Sequence, residues 1–234
     1  LVDQQWHLKN TGQTAFSKSG GIAGNDLDID FAHAMGIKGR GITVSVIDTG
    51  LETDHPDLSP NVVAGSINFL EGDIGYPVDN HGHGTAVGGL IAAEDNNKIG
   101  GRGVAPDANL IGFNYLFAQD DTNWLLSHGV SADWRALDRF TDPRVFNQSY
   151  GWTPNSPLKH NYSADPSLEM NDTVMQDVSL NSHWGRGATY VKSAGNSFQR
   201  YNTNLFGIRF QVLPRENNNY YDNNGLPFHN ANVT

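Results

Sequence analysis

The apolar positions of this chain fall into short runs separated by polar, glycine-rich stretches. The run ITVSVI (42–47) is continuous and rich in β-branched residues, the pattern of a strand buried on both faces. Asp48 follows it directly. Weaker runs predict strands through 62–63 with 67–69, and over 109–116, 145–150 and 188–194. Apolar residues at helical spacing predict helices over 28–35, 131–140 and 167–184. Another begins near His83, with Val87, Leu90 and Ile91 at helical spacing. Strands alternating with helices indicate βαβ units, hence a parallel sheet covered on both faces with its functional groups at the C-terminal edge. Residues 1–40 read as an irregular lead-in, 41–196 as an α/β core, and the Asn-rich 197–234 as a loop-rich segment.

Composition narrows this picture. A length of 234 residues with 38% hydrophobic content supports one sizeable α/β domain. A net charge of −10 leaves no basic stripe for phosphates, so nucleic-acid binding is excluded. The absence of cysteine removes disulfides and thiol catalysis. No apolar run reaches the roughly 18–20 residues of a membrane span, and no signal-peptide pattern is visible. The opening Leu1-Val2-Asp3 reads as a processed front end.

Chemistry enters at two places. The strand ends TVSVIDTG (43–50), and the segment DNHGHGTAVGGLIAA (79–93) starts a helix at His83. A carboxylate at a strand end facing a histidine at a helix start fixes the imidazole tautomer and raises its basicity, two of the three parts of a serine-hydrolase relay. The third part, a serine in a segment such as Gly-Thr-Ser-x-Ala-x-Pro, does not occur in the sequence. Ser163-Ala164-Asp165-Pro166 lacks the preceding Gly-Thr and is not that segment. His81 and His83 find no third ligand at zinc spacing, and GGRG (100–103) is followed by no Lys-Ser/Thr pair of a phosphate loop.

Six blocks in order carry a resemblance that spans the chain to about Arg200. They are QQWHLKNTGQ (4–13), VSVIDTGLETDHPDL (44–58), HGTAVGGLIAA (83–93), GGRGVAPDANLIG (100–112), NQSYG (147–151) and SAGN (193–196). The chain resembles the subtilisin-like serine proteases (subtilases), in particular the secreted bacterial members of their kexin-like branch. The resemblance implies an α/β three-layer sandwich with a mostly parallel sheet. It also implies that 1–234 is the N-terminal portion of one catalytic domain, incomplete at its C-terminal end. In the same way, Asp48 is the triad aspartate and His83 the general base. The order Asp, His, Ser then puts the nucleophile C-terminal to Thr234. Asn196 matches the oxyanion-hole donor, its alternative being a turn residue after Gly195. Ser149, Tyr150 and Gly151 match the strand that pairs with an extended substrate, or else form an ordinary strand end. Ser193, Ala194 and Gly195 line the same site.

The resemblance further implies a structural Ca²⁺ in the loop EDNNKIGG (94–101). Its ligands would be the side chains of Asp57 and Asn97 and the carbonyls of Glu94, Ile99 and Gly101, oxygen donors suited to a hard cation. The family's N-terminal acidic ligand falls before Leu1 unless Asp3 replaces it, and the alternative for the loop is a solvated polar turn. Kexin-like enzymes cut after basic residues, but the acid that follows the substrate strand in eukaryotic members is missing from YGWTPN (150–155). Asp165, Glu169, Glu216 and Asp222 are the nearby acids, and spacing selects none of them. Protein or peptide substrates, secretion, and a propeptide, external chaperone or C-terminal β-domain as partner follow from the resemblance alone. Two functions stay open: a serine endopeptidase completed by the Ser-bearing portion, and an inactive protease-like module that binds peptides.

Overall fold

The computed structural model describes residues 2–15, 17–74, 76–130, 143–150, 166–193, 201–205 and 208–212. Its main sheet contains β1 (Thr43–Ile47), β2 (Ile67–Asn68), β3 (Asp73–Ile74), β4 (Asn109–Phe113), β5 (Val145–Gln148) and β6 (Thr189–Lys192). Their order is β3-β2-β4-β1-β5-β6; five strands are parallel and β3 pairs antiparallel at the β2 edge. β1 lies between β4 and β5, and all five of its residues are buried. That is why its sequence reads as an unbroken apolar run rather than an alternation.

Helices cover both faces. α2 (His83–Ala92) packs on one face, where Val44, Val46, Leu51, Leu58, Ala92 and Leu110 form a core. On the other face, Ile47, Ile111, Phe113 and Phe146 meet Leu125 of α3 (Asp121–Ser127) and Val174 and Val178 of α4 (Pro166–Gly185). Alternation along β1 sends Val44 and Val46 to the first core and Ile47 to the second, the period of two that a strand imposes. The expected three-layer α/β sandwich is therefore the observed one.

Several boundaries differ from the sequence reading. The short N-terminal helix is α1 (Asp30–Ala34), and the strand expected to run to residue 116 stops at Phe113. Asn114 leaves the extended region there (φ −85, ψ 45) and starts a 3-10 turn, Tyr115–Phe117. α3 had no counterpart in the apolar pattern; the Asp120 carboxylate caps it by accepting from the Asn123 N–H at 2.8 Å. The Asn-rich segment expected to be loop contains the antiparallel hairpin β7 (Tyr201–Leu205) and β8 (Ile208–Val212). Ile208, Phe210 and Val212 alternate as a strand should, a signal outweighed by the composition around them. The helix expected over 131–140 lies outside the described residues.

The lead-in is held to the core by specific polar contacts. Gln5 donates from Nε2 to the Arg102 carbonyl at 2.9 Å and accepts the Arg102 N–H at 2.8 Å. Lys38 and Asp95 form a half-buried ion pair at 2.8 Å.

Candidate active site

Asp48 and His83 meet at the C-terminal edge of the sheet. His83 Nδ1 lies 2.6 Å from Asp48 Oδ1, which also accepts the Thr49 N–H at 2.7 Å. The Asp48 main chain is tied on both sides: its N–H donates to the Phe113 carbonyl at 3.0 Å, and its carbonyl accepts from Leu116 N–H at 3.1 Å. The Asp48 side chain is 0% exposed, whereas that of His83 is 46% exposed. With Nδ1–H given to the carboxylate, the Nε2 lone pair is left to take a proton. Asp48 Oδ2 is buried and has no hydrogen-bond partner among the described residues.

The helix carrying His83 can approach the strand this closely because residue 84 is glycine. A Cβ there would fall 2.0 Å from the Gly50 carbonyl oxygen and 3.0 Å from Asp48 Cβ. The helix start is capped from outside, since its N-cap residue, Gly82, is left-handed (φ 78) and has no side chain to offer. Thr49 Oγ1 accepts the Gly84 N–H at 3.0 Å, and Asp79 Oδ2 accepts the Thr85 N–H at 2.8 Å. Burial alone would favour the neutral Asp79 carboxyl. Donors from the Thr85 side chain and backbone, Thr49 and the Gly82 N–H outweigh it and hold Asp79 below the usual carboxylate range. Asp79, Thr49 and Thr85 were not singled out in the sequence. The legible signal was an acid and a threonine flanking a glycine-led helix start.

Ser149 and Tyr150 continue β5, whose Gln148 pairs with Ile47 of β1 on one side and Lys192 of β6 on the other. Ser193 N–H donates to the Gln148 carbonyl at 3.0 Å. The fold therefore brings Asp48, Ser149, Tyr150 and Ser193 to one sheet edge. Gly151, Ala194, Gly195 and Asn196 lie outside the described residues. Lys192 Nζ donates to the Tyr150 carbonyl at 3.0 Å and sits 4.8 Å from the Tyr150 ring centroid. Burial lowers its pKa to about 8.

Beneath this edge His128 is completely buried. It stacks on Trp124 at 4.1 Å, its Nδ1 lies 2.6 Å from the Trp124 carbonyl, and its Nε2 lies 2.6 Å from Gln148 Nε2. Desolvation lowers its pKa to about 3, so the ring is neutral: Nδ1–H donates to Trp124 and Nε2 accepts from Gln148. Tyr190 Oη donates to the His128 carbonyl at 2.6 Å. This buried histidine thus ties α3 to β5 and β6 just before Ser149.

On the far side of α2, the loop 94–101 folds around Asp57, which is 5% exposed. Asn97 Nδ2 donates to Asp57 Oδ1 at 2.7 Å and lies 3.3 Å from Glu94 Oε2, while Gly101 N–H donates to Asp57 Oδ2 at 3.3 Å. Asn97 Oδ1 accepts the Ile99 N–H at 2.9 Å. Two lead-in side chains reach here: Lys38 pairs with Asp95 of the loop at 2.8 Å, and Gln5 hydrogen-bonds the Arg102 main chain just after it. Two carboxylates thus face one amide NH₂: the carboxylates are oxygen donors of the kind a hard cation takes, whereas the amide would have to turn its Oδ1 toward them to join in. Among the described residues, no three His, Cys, Asp or Glu side chains cluster as a metal site, so the protein ligands would include carbonyls. His81, 6.5 Å from His83 between ring centroids, belongs to no such cluster.

A parallel sheet with a buried aspartate at one strand end and a histidine at a helix start defines an Asp–His relay on an α/β scaffold. Residues 39–220 match the subtilase family, and the chain belongs to that family. It is 43% identical to the Aeromonas extracellular serine protease of Aeromonas sobria over 238 residues, covering 100% of this chain and 35% of that protein. It is 30% identical to human neuroendocrine convertase 2 over 203 residues, covering 84% of this chain and 29% of the convertase. In the crystal structure of the Aeromonas sobria serine protease with the chaperone ORF2, the match has TM-score 0.73 and 41% identity over 87% of this chain and 33% of that chain. The chain thus spans about a third of the length of these relatives.

Proposed function

We propose that this chain is the Asp- and His-bearing portion of a secreted, kexin-like serine endopeptidase whose nucleophilic serine lies outside it. The observation that carries the reading is the 2.6 Å contact between His83 Nδ1 and a fully buried Asp48. A buried carboxylate accepting from one face of a half-exposed imidazole is the arrangement that makes the other nitrogen a base. His83 Nε2 takes the serine proton as the hydroxyl attacks the peptide carbonyl, and returns it to the leaving amine. Asp48 holds the tautomer and stabilises the imidazolium. Asn196 donates to the developing oxyanion, a contribution worth about 10²–10³ in kcat. The substrate backbone adds along Ser149, Tyr150 and Gly151 opposite Ser193, Ala194 and Gly195.

A Ca²⁺ at the 94–101 loop stabilises this edge of the molecule, held by Asp57, Asn97 and the carbonyls of Glu94, Ile99 and Gly101. The Asp57 and Glu94 carboxylates gathered at this loop supply negative charge for such an ion, and the Asn97 amide, whose Nδ2 now faces them, would turn Oδ1 toward it. Preference for Arg or Lys at P1 rests on the kexin-like resemblance. Since YGWTPN (150–155) carries no acid, the acids that receive a basic side chain come from elsewhere, Asp165, Glu169, Glu216 and Asp222 being the candidates. A protease–chaperone complex among the structural relatives supports a chaperone partner, alongside a propeptide or C-terminal β-domain. The test is a peptide-library cleavage profile of the complete protein. Cleavage enriched for Arg/Lys at P1 supports the full reading, cleavage without that enrichment removes the specificity, and no cleavage favours a peptide-binding module.

A further inference from the structure

Asp79 lies four residues ahead of His83 and takes no part in the Asp48–His83 hydrogen bond, yet five donors converge on its carboxylate. Oδ1 accepts from Thr49 Oγ1 at 2.8 Å, Gly82 N–H at 2.8 Å and His81 N–H at 3.2 Å. Oδ2 accepts from Thr85 N–H at 2.8 Å and Thr85 Oγ1 at 2.7 Å. Thr49 is bonded directly to Asp48, and its hydroxyl also accepts the N–H of Gly84, the residue after His83, at 3.0 Å. Thr85 Oγ1 in turn accepts the Glu52 N–H at 3.0 Å. A polar chain from Asp79 through Thr49 to Gly84 therefore runs beside the Asp48–His83 contact and joins the same two elements.

Below this point the strand and helix share an apolar core, but at their ends they meet through glycine. Gly50 (φ 138) and Gly84 bring the main chains into close contact with no side chain of their own between them, so hydrogen bonds rather than interlocking side chains fix the orientation of the helix start. The geometry points to Asp79 as a positioning residue: its carboxylate fixes the helix start against the strand end, so that His83 Nδ1 meets Asp48 Oδ1. The group has to be an anion to do this. Both oxygens face donors only, and an amide at this position would turn its NH₂ toward one of the two sets. Asp79 touches no reacting atom; it acts through His83.

The kinetic half of the test rests on the proposed protease activity, and the spectroscopic half does not. Wild type, Asp79→Asn and Thr85→Val are prepared in the complete protease and checked for folding by circular dichroism. The low-field Nδ1–H resonance of His83 is followed by NMR with ¹⁵N-labelled histidine, and kcat and KM are measured on a peptide substrate. In Asp79→Asn we expect the resonance to shift upfield or broaden away and kcat to fall about 10–100-fold, the cost of a small misplacement of a reacting group. KM stays within about threefold, because substrate contacts are unchanged. Thr85→Val moves the resonance and kcat in the same sense by less, again with KM unchanged, and decides the matter if Asp79→Asn does not fold. An unchanged His83 resonance overturns the inference, whatever kcat does, as does an effect confined to KM. A wild type that cleaves no peptide removes the protease reading instead, while the resonance still judges Asp79.

Discussion

At the residue scale, burial sorts the two histidines of this sheet edge into different roles. His83 keeps half its side chain in solvent and gives one nitrogen to a buried carboxylate, so it can exchange protons. His128 is sealed among aromatic rings and held neutral, so it braces β5 and takes up a proton in the folded state only in strong acid. Its folded pKa of about 3 lies below the ordinary value near 6.5, so its contribution to stability is complete above pH 6.5 and is lost as pH falls from there toward 3. Unfolding free energy from denaturant titrations should therefore decline below pH 6.5, this one group adding at most about 1.4 kcal/mol per pH unit. His128→Gln should remove that part of the slope; an identical slope in the variant would show that other groups carry it. At the relay itself, Asp48→Asn should leave the fold intact and lower kcat about 10⁴-fold, because the amide favours the wrong tautomer of His83. A loss under tenfold in peptide hydrolysis would remove Asp48 from the mechanism.

At the element scale, legibility followed how much of an element's stability is local. β1 was readable because a strand buried on both faces must be apolar throughout, and the His83 helix because its apolar residues recur at helical spacing. α3 escaped because its signal is a cap, Asp120 with Asn123, rather than an apolar stripe. The Asp79 clasp escaped because its partners Thr49, Gly82 and Thr85 come together only when strand and helix dock. The same docking makes Gly84 a test of the element contact. Gly84→Ala would drive a methyl group into the Gly50 carbonyl, for which the helix start has to move. Thermal unfolding should show destabilisation of at least about 1–3 kcal/mol, and the His83 resonance should shift with it. A stability equal to wild type would mean that the strand–helix approach is looser than described.

At the scale of the whole molecule, the fold is a six-stranded sheet between two helical layers, with the candidate site where β1, β5 and β6 end. Class and layering were legible in the alternation of strands and helices, and family in the ordered blocks around Asp48 and His83. The hairpin of β7 and β8 was not, since the asparagine-rich composition around it outweighed the alternation of Ile208, Phe210 and Val212. The calcium proposal belongs at this scale as well, because a cation at Asp57 would join the loops on either side of α2. Chelation with EGTA should lower Tm, and a Ca²⁺ concentration 100 times Kd should restore about 2.7 kcal/mol. Asp57→Ala should abolish that response; a Tm indifferent to both chelation and added calcium would remove the site.

In the proposed mechanism, Asp48 and His83 serve a serine outside this chain. Labelling the complete protein with a fluorophosphonate, and mapping the modified peptide by mass spectrometry, tests it most directly. The label should fall on one serine C-terminal to Thr234 and should be lost in His83→Ala. A label on a serine within residues 1–234, or none on folded protein, would contradict it.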